Sequence, residues 1–155
     1  MTALNTDTNR VFETPNDTNA IPVAAAAKIF QGALIGRTAA GYGRPLKAGD
    51  VAMGFAKDPI DNTNGMDGEK TCELKAKGKV SLFISGLALG DVGQKVYASD
   101  DNTFTLAAEG NSFVGFVARF EKADYAIVAF DFFYDEEPAE PAAQATTPNN
   151  EPEGE

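Results

Sequence analysis

"SFVGFVARFEKADYAIVAFDFF", residues 112–133, decides the fold. Two runs, 112–120 and 125–133, are dense in Val, Phe, Ile and Ala, and "EKAD" between them has the length of a hairpin loop. β-Branched and aromatic side chains fit the pleated, half-buried surface of a sheet. Both runs are apolar at nearly every position, as expected where core, a sheet edge or another subunit covers both faces. Gly115, in the middle of the first run, predicts a bulge or a close backbone approach.

The same pattern extends upstream. "KVSLFIS" (79–85) alternates Val80, Leu82 and Ile84 on one face with Phe83 opposite. "KVYAS" (95–99) and "TFTLA" (103–107) are short strands around Asp100, Asp101 and Asn102. Asp and Asn side chains hydrogen-bond their own backbone, and Asn tolerates a left-handed conformation, so this trio reads as a hairpin tip. "AGDVAMGFA" (48–56), "LGDVGQKVYA" (89–98) and "GNSFVGFVA" (110–118) each place Gly plus Asp or Asn just before a strand. A tight glycine turn that repeatedly feeds a strand is the habit of small barrels. "VAAAAKIFQGALIG" (23–36) has two readings, a short Ala-rich helix or a strand broken at Gly32. A strand follows at 50–56, then a polar loop dense in turn residues at 57–70. The expected fold is all-β, a small barrel with at most one or two short helices.

Charge divides the 155-residue chain into three. Of the net −10, residues 135–155 carry −7 with no basic residue, residues 1–22 carry −2, and 23–134 are nearly neutral at −1. The last 21 residues hold four prolines and no aromatic, Ile, Leu, Val or Met, which predicts a disordered acidic tail. Residues 1–22 are rich in Thr, Asn and Asp, with Pro15 and Pro22 enforcing extended backbone. Such an arm gains by lying on another surface, and Val11, Phe12 and Ile21 are its candidate contacts with a neighbouring subunit. Residues 23–134 form the β-rich domain between arm and tail.

Composition excludes much chemistry. The chain has no histidine, so Ser-His and Cys-His dyads, His-ligated zinc and a His general base are ruled out. Cys72 is the single cysteine, which leaves no intrachain disulfide and reads as a half-buried strand residue. Lys70, Lys75, Lys77 and Lys79 are interleaved with Glu69 and Glu73 as on a solvated strand face, and an acidic chain lacks the clustered cations that grip phosphate backbones. No apolar run approaches the roughly 18 residues of a membrane span. The N-terminus lacks the basic and apolar regions of a signal peptide, which predicts folding in the cytosol.

The candidate sites are few. Counted from Asp61, the loop places Thr63, Gly65 and Cys72 at the third, fifth and twelfth positions and so fails the EF-hand pattern. A looser oxygen cage from Asp58, Asp61 and Asp67 is set against a solvated loop, and the loop is preferred. "GYGRP" (41–45) and "GDVG" (90–93) lack phosphate-loop spacing. Asp100 and Asp101 are sequence neighbours that point to opposite sides of an extended chain. Asp131, in an apolar strand, calls for an edge position, a basic neighbour or a subunit contact. No catalytic residue, cofactor or metal ligand is therefore assigned.

At Gly90, Asp91, Gly93, Val96 to Thr105, Val114–Gly115 and Val128–Phe130, the chain resembles the capsid cement or decoration proteins of tailed bacteriophages. The resemblance spans roughly residues 22–131 and rests on structural positions. It implies a β-tulip-like relative of lambda-like head-decoration proteins. A homotrimer would bind the major capsid protein at three-fold and quasi-three-fold positions and stabilise the expanded head. It implies no enzyme activity and no nucleic-acid or membrane partner. The protein would be made in the bacterial cytoplasm and located on the outer surface of the virion. Phe113, Phe116, Phe130, Phe132 and Phe133 are then expected to supply core and trimer contact. The alternative is a non-catalytic carbohydrate- or receptor-binding β module of a virion fibre or surface layer, which usually displays Trp or Tyr platforms; here there is no Trp and only four Tyr.

Overall fold

The computed structural model describes residues 3–12 and 17–133; the tail expected at 135–155 lies outside the described residues. Eleven strands follow one another: β1 (Asp17–Pro22), β2 (Lys28–Ile29), β3 (Leu34–Arg37), β4 (Gly43–Pro45), β5 (Val51–Ala56), β6 (Ile60–Asp61), β7 (Thr71–Phe83), β8 (Lys95–Ala98), β9 (Phe104–Thr105), β10 (Ser112–Lys122) and β11 (Tyr125–Asp131). A single 3-10 turn, Leu89–Asp91, is the helical element among the described residues. The fold is almost all β, as expected. Its main sheet runs β4-β3-β5-β7-β11-β10-β8-β9, with β1 also on β7, and curls into a half-barrel. β2 and β6 form a separate small ribbon.

β7 is the spine. Cys72, Leu74, Ala76, Val80 and Leu82 point inward and are buried, while Glu73 and Lys77 are exposed. Its first half, up to Lys77, pairs with β1 and its second half, from Lys77, with β11, so the first and last strands meet end to end along one edge. On the other edge β5 pairs at Leu74 and Lys75. Two cores result. One gathers Phe55, Leu82, Val128 and Phe130, and the other gathers Ile21, Val23, Ile35, Cys72 and Leu74. Each such side chain contributes roughly 1.5–3 kcal/mol of transfer free energy.

The 112–133 hairpin forms with a tighter turn than expected. β10 continues to Lys122, and Ala123–Asp124 make the turn, with Asp124 at φ 64°. Asp124 also accepts the Gly86 amide through Oδ1 at 2.7 Å, which ties the turn to the end of β7. Gly115 meets both expectations. The register with β8 shifts between Phe113 and Gly115, and a Cβ there would overlap the Ala129 carbonyl.

Residues 23–36 take the strand reading rather than the helix. Ala25 and Ala26 form a turn, β2 follows, and Gly32 at φ 79° breaks the chain before β3. Burial explains the choice, because Val23, Ala27, Ile29, Ala33 and Ile35 all enter the second core, an odd-numbered pattern that no helix face supplies.

The boundary at residue 22 needs correction. β1 belongs to the sheet, and residues 3–12 lie on the domain itself. Ile21 is buried in the second core, and Phe12 bridges Val80 while packing edge-on against Phe55 and Phe130, both at 6.4 Å. The physical reason is that β7 leaves an edge free beyond β5, and the arm's backbone satisfies it, Ser81 N donating to Val11 O at 3.2 Å. Val11 itself is 62% exposed.

Candidate functional site

The structure separates the two neighbouring acids of the β8–β9 turn. Asp100 Oδ1 accepts the amides of Asn102 (2.9 Å) and Thr103 (2.7 Å), which makes it the lock of the expected turn. Asp101 points the other way and is buried at 2% exposure, where its Oδ1 accepts the Leu4 amide at 2.9 Å. Burial pushes the Asp101 carboxyl above the usual carboxylate range, and the Leu4 amide and Arg10 only partly offset this. These two acids cannot share a substrate.

Asp61 and Asp67 are likewise spent on the loop. Asp61 Oδ1 accepts both the amide and hydroxyl of Thr63, and Asp67 Oδ1 accepts the Ala25 amide at 2.7 Å. Asn62 pins the loop from beneath, donating to Ala24 O and Met66 O, both at 3.0 Å. An open cavity of about 680 Å³ beside them is lined by Lys28, Asp61, Glu69 and Lys70 among others. Lys70 Nζ donates to Asp61 O and Lys28 sits 3.8 Å from the Asp61 carboxylate, so ammonium groups stand where a cation would bind. Among the described residues, no three His, Cys, Asp or Glu side chains are grouped to hold a metal ion.

Asp131 has its basic neighbour, Lys77 at 3.2 Å. Cys72 is fully buried, and burial pushes its thiol up to about 12. The lysine face of β7 is tied into its surroundings, with Lys57 on Glu73 at 2.7 Å and Lys75 over the Phe12 ring at 5.1 Å.

The five late phenylalanines divide by register. Phe130 is in the core and Phe132 packs on it, while Phe113 and Phe116 stand half-buried on the outer face. There they join Tyr97 in an edge-to-face series, Tyr97–Phe113 at 5.9 Å and Phe113–Phe116 at 5.5 Å. Beside β10 the 3-10 turn leaves Leu89 69% and Val92 48% exposed, and Phe133 is 45% exposed at the end of the described chain. The bulge at Gly115 keeps Phe113 and Phe116 on one side although they are three apart.

A second built feature, which the sequence left unread, is the seat of the arm. Arg10 is enclosed, donating through Nε to Gly32 O (2.8 Å) and through a terminal nitrogen to Asn102 Oδ1 (2.5 Å). Its guanidinium lies 5.3 Å from the Phe104 ring centroid and 5.8 Å from that of Phe55. Burial pulls its pKa down to about 10, with Asp101 opposing, so it stays charged at neutral pH. Thr8 N donates to Gln31 O at 2.8 Å, and Gly32 is needed because a Cβ would overlap Thr8 O. The available signal was Arg10 as the one base in an acidic arm, next to Val11–Phe12.

No protein-family model, curated protein or solved structure matches the chain.

Proposed function

We propose that this chain is a non-catalytic decoration protein of a phage head, which binds the major capsid protein lattice as a homotrimer on the outer surface of the virion. The observation that carries the reading is the aromatic series Tyr97–Phe113–Phe116 on the outer face of the sheet, with Leu89 and Val92 exposed nearby. Aromatic side chains on a rigid outer surface are the usual anchors of protein interfaces. A sheet with its arm strapped down presents them without an ordering cost at binding. The curled sheet suits the β-tulip comparison that the motif at residues 90–105 raised, and the acids of that motif serve the turn and the arm.

The mechanism is multivalent clamping. Each protomer contributes modest contacts, and a trimer makes the second and third contacts at high effective concentration. Phe113 and Phe116 supply subunit or capsid contact, and the exposed Val11 is the arm's remaining outward anchor. Incubating the protein with expanded empty heads and sedimenting them tests the reading. Saturable co-sedimentation supports it. Absence of binding, together with retention on a glycan array, would favour the carbohydrate- or receptor-binding alternative.

A further inference from the structure

We propose that the groove holding residues 3–12 is a peptide site that exchanges its own arm for the same segment of a second copy of this chain. The arm is read as a ligand would be, by a few specific contacts to distant parts of the chain. Leu4 reaches Asp101 at a sequence separation of 97, Arg10 reaches Asn102 at 92 and Gly32 at 22, and Thr8 pairs with Gln31. At the arm's end, Phe12 fills a place between Phe55 and Phe130, and its backbone lies on the free edge of β7.

Those features make a receptor rather than a chance lodging. The arm's one cationic side chain donates to two oxygen acceptors, Gly32 O and Asn102 Oδ1, and Gly32 carries no side chain where Thr8 O passes. The groove therefore has a known cognate sequence, "ALNTDTNRVF" (3–12), and every copy carries both halves. Nothing in the contacts distinguishes an arm from its own chain from an arm of another, which is the condition for segment exchange between identical protomers. In dilute solution the tethered arm wins, because its effective concentration is on the order of mM. Exchange takes over as copies crowd together.

The test uses two full-length variants, Thr8→Cys and Gln31→Cys, each carrying one half of the pair. The double variant in one chain is the geometric control and should close an internal disulfide at micromolar concentration. Mixed at millimolar concentration under mild oxidation, the two single variants should form a covalent heterodimer several-fold above the yield of Thr8→Cys with Glu109→Cys, an exposed position. Adding Arg10→Ala to the Thr8→Cys chain should return the yield to that background. If the double variant closes while the mixed variants stay at background, exchange is overturned; if the double variant fails to close, the seat itself is overturned. No capsid is present, so either failure is distinct from failure of head binding.

Discussion

Arg10 donates to Asn102 across 2.5 Å and thereby joins the N-terminal arm to the tip of the β8–β9 hairpin. The same guanidinium holds Gly32 O, so one side chain closes a seam between three chain segments. Replacing Arg10 with Met keeps apolar contact with Phe55 and Phe104 and removes the hydrogen bonds. Bonds from a charged donor contribute about 1.5–3 kcal/mol net. We expect Arg10→Met to lower unfolding stability by about 2–3 kcal/mol by denaturant titration, and to speed amide exchange at Leu4 and Thr8. Unchanged exchange at those two amides would contradict the staple.

Gly115 and Gly90 make a matched pair. A Cβ on Gly115 meets the Ala129 carbonyl and the Phe130 backbone, neither of which can swing away. A Cβ on Gly90 meets nothing within 4 Å. Gly115→Ala should therefore cost about 3 kcal/mol, and Gly90→Ala should stay within about 0.5 kcal/mol of the parent. Thermal unfolding of the two variants side by side checks the difference.

Asp101 gives a pH dependence of definite sign. Burial raises its folded pKa above its unfolded value. The unfolded chain therefore gives up this proton first as pH rises, and stability falls as pH climbs from the ordinary carboxylate range through the raised value. Acidification through that window should stabilise the fold at this position. Asp101→Asn keeps an oxygen for the Leu4 amide and removes the titration, so the difference in melting temperature between parent and variant should change with pH across that window. A constant difference would show that Asp101 does not titrate there.

Cys72 should be inert. It is fully buried and its thiol is pushed up to about 12, leaving little thiolate at neutral pH. A thiol reagent should modify it at the rate of unfolding rather than in a fast phase. Rapid labelling of the native protein would place Cys72 at an accessible surface.

The features legible in the sequence are those that local chemistry specifies. Period-two alternation at Val80, Leu82 and Ile84 revealed the second half of β7, and the interleaved lysines and glutamates marked the first as a strand face. Asp100 closes its own turn through bonds to residues two and three ahead, which composition reveals directly. The seat of the arm was illegible because two of its side-chain bonds cross more than 90 positions, and neither Arg10 nor Asp101 has a local reason to be buried. Hydropathy likewise could not sort the late phenylalanines. The bulge at Gly115 resets the alternation, so Phe113 and Phe116 share the outer face while Phe130 enters the core. Residues 23–36 stayed open between helix and strand, because tertiary burial decides against a helix preference worth only tenths of a kcal/mol per residue.

Whether the chain decorates heads is decided by cryo-EM of expanded heads mixed with the parent protein, and in parallel with the Phe113→Ser/Phe116→Ser variant. Added trimeric density at three-fold and quasi-three-fold positions is expected for the parent, and strongly reduced occupancy for a variant that remains folded by circular dichroism. Bare three-fold positions at saturating parent protein would contradict it.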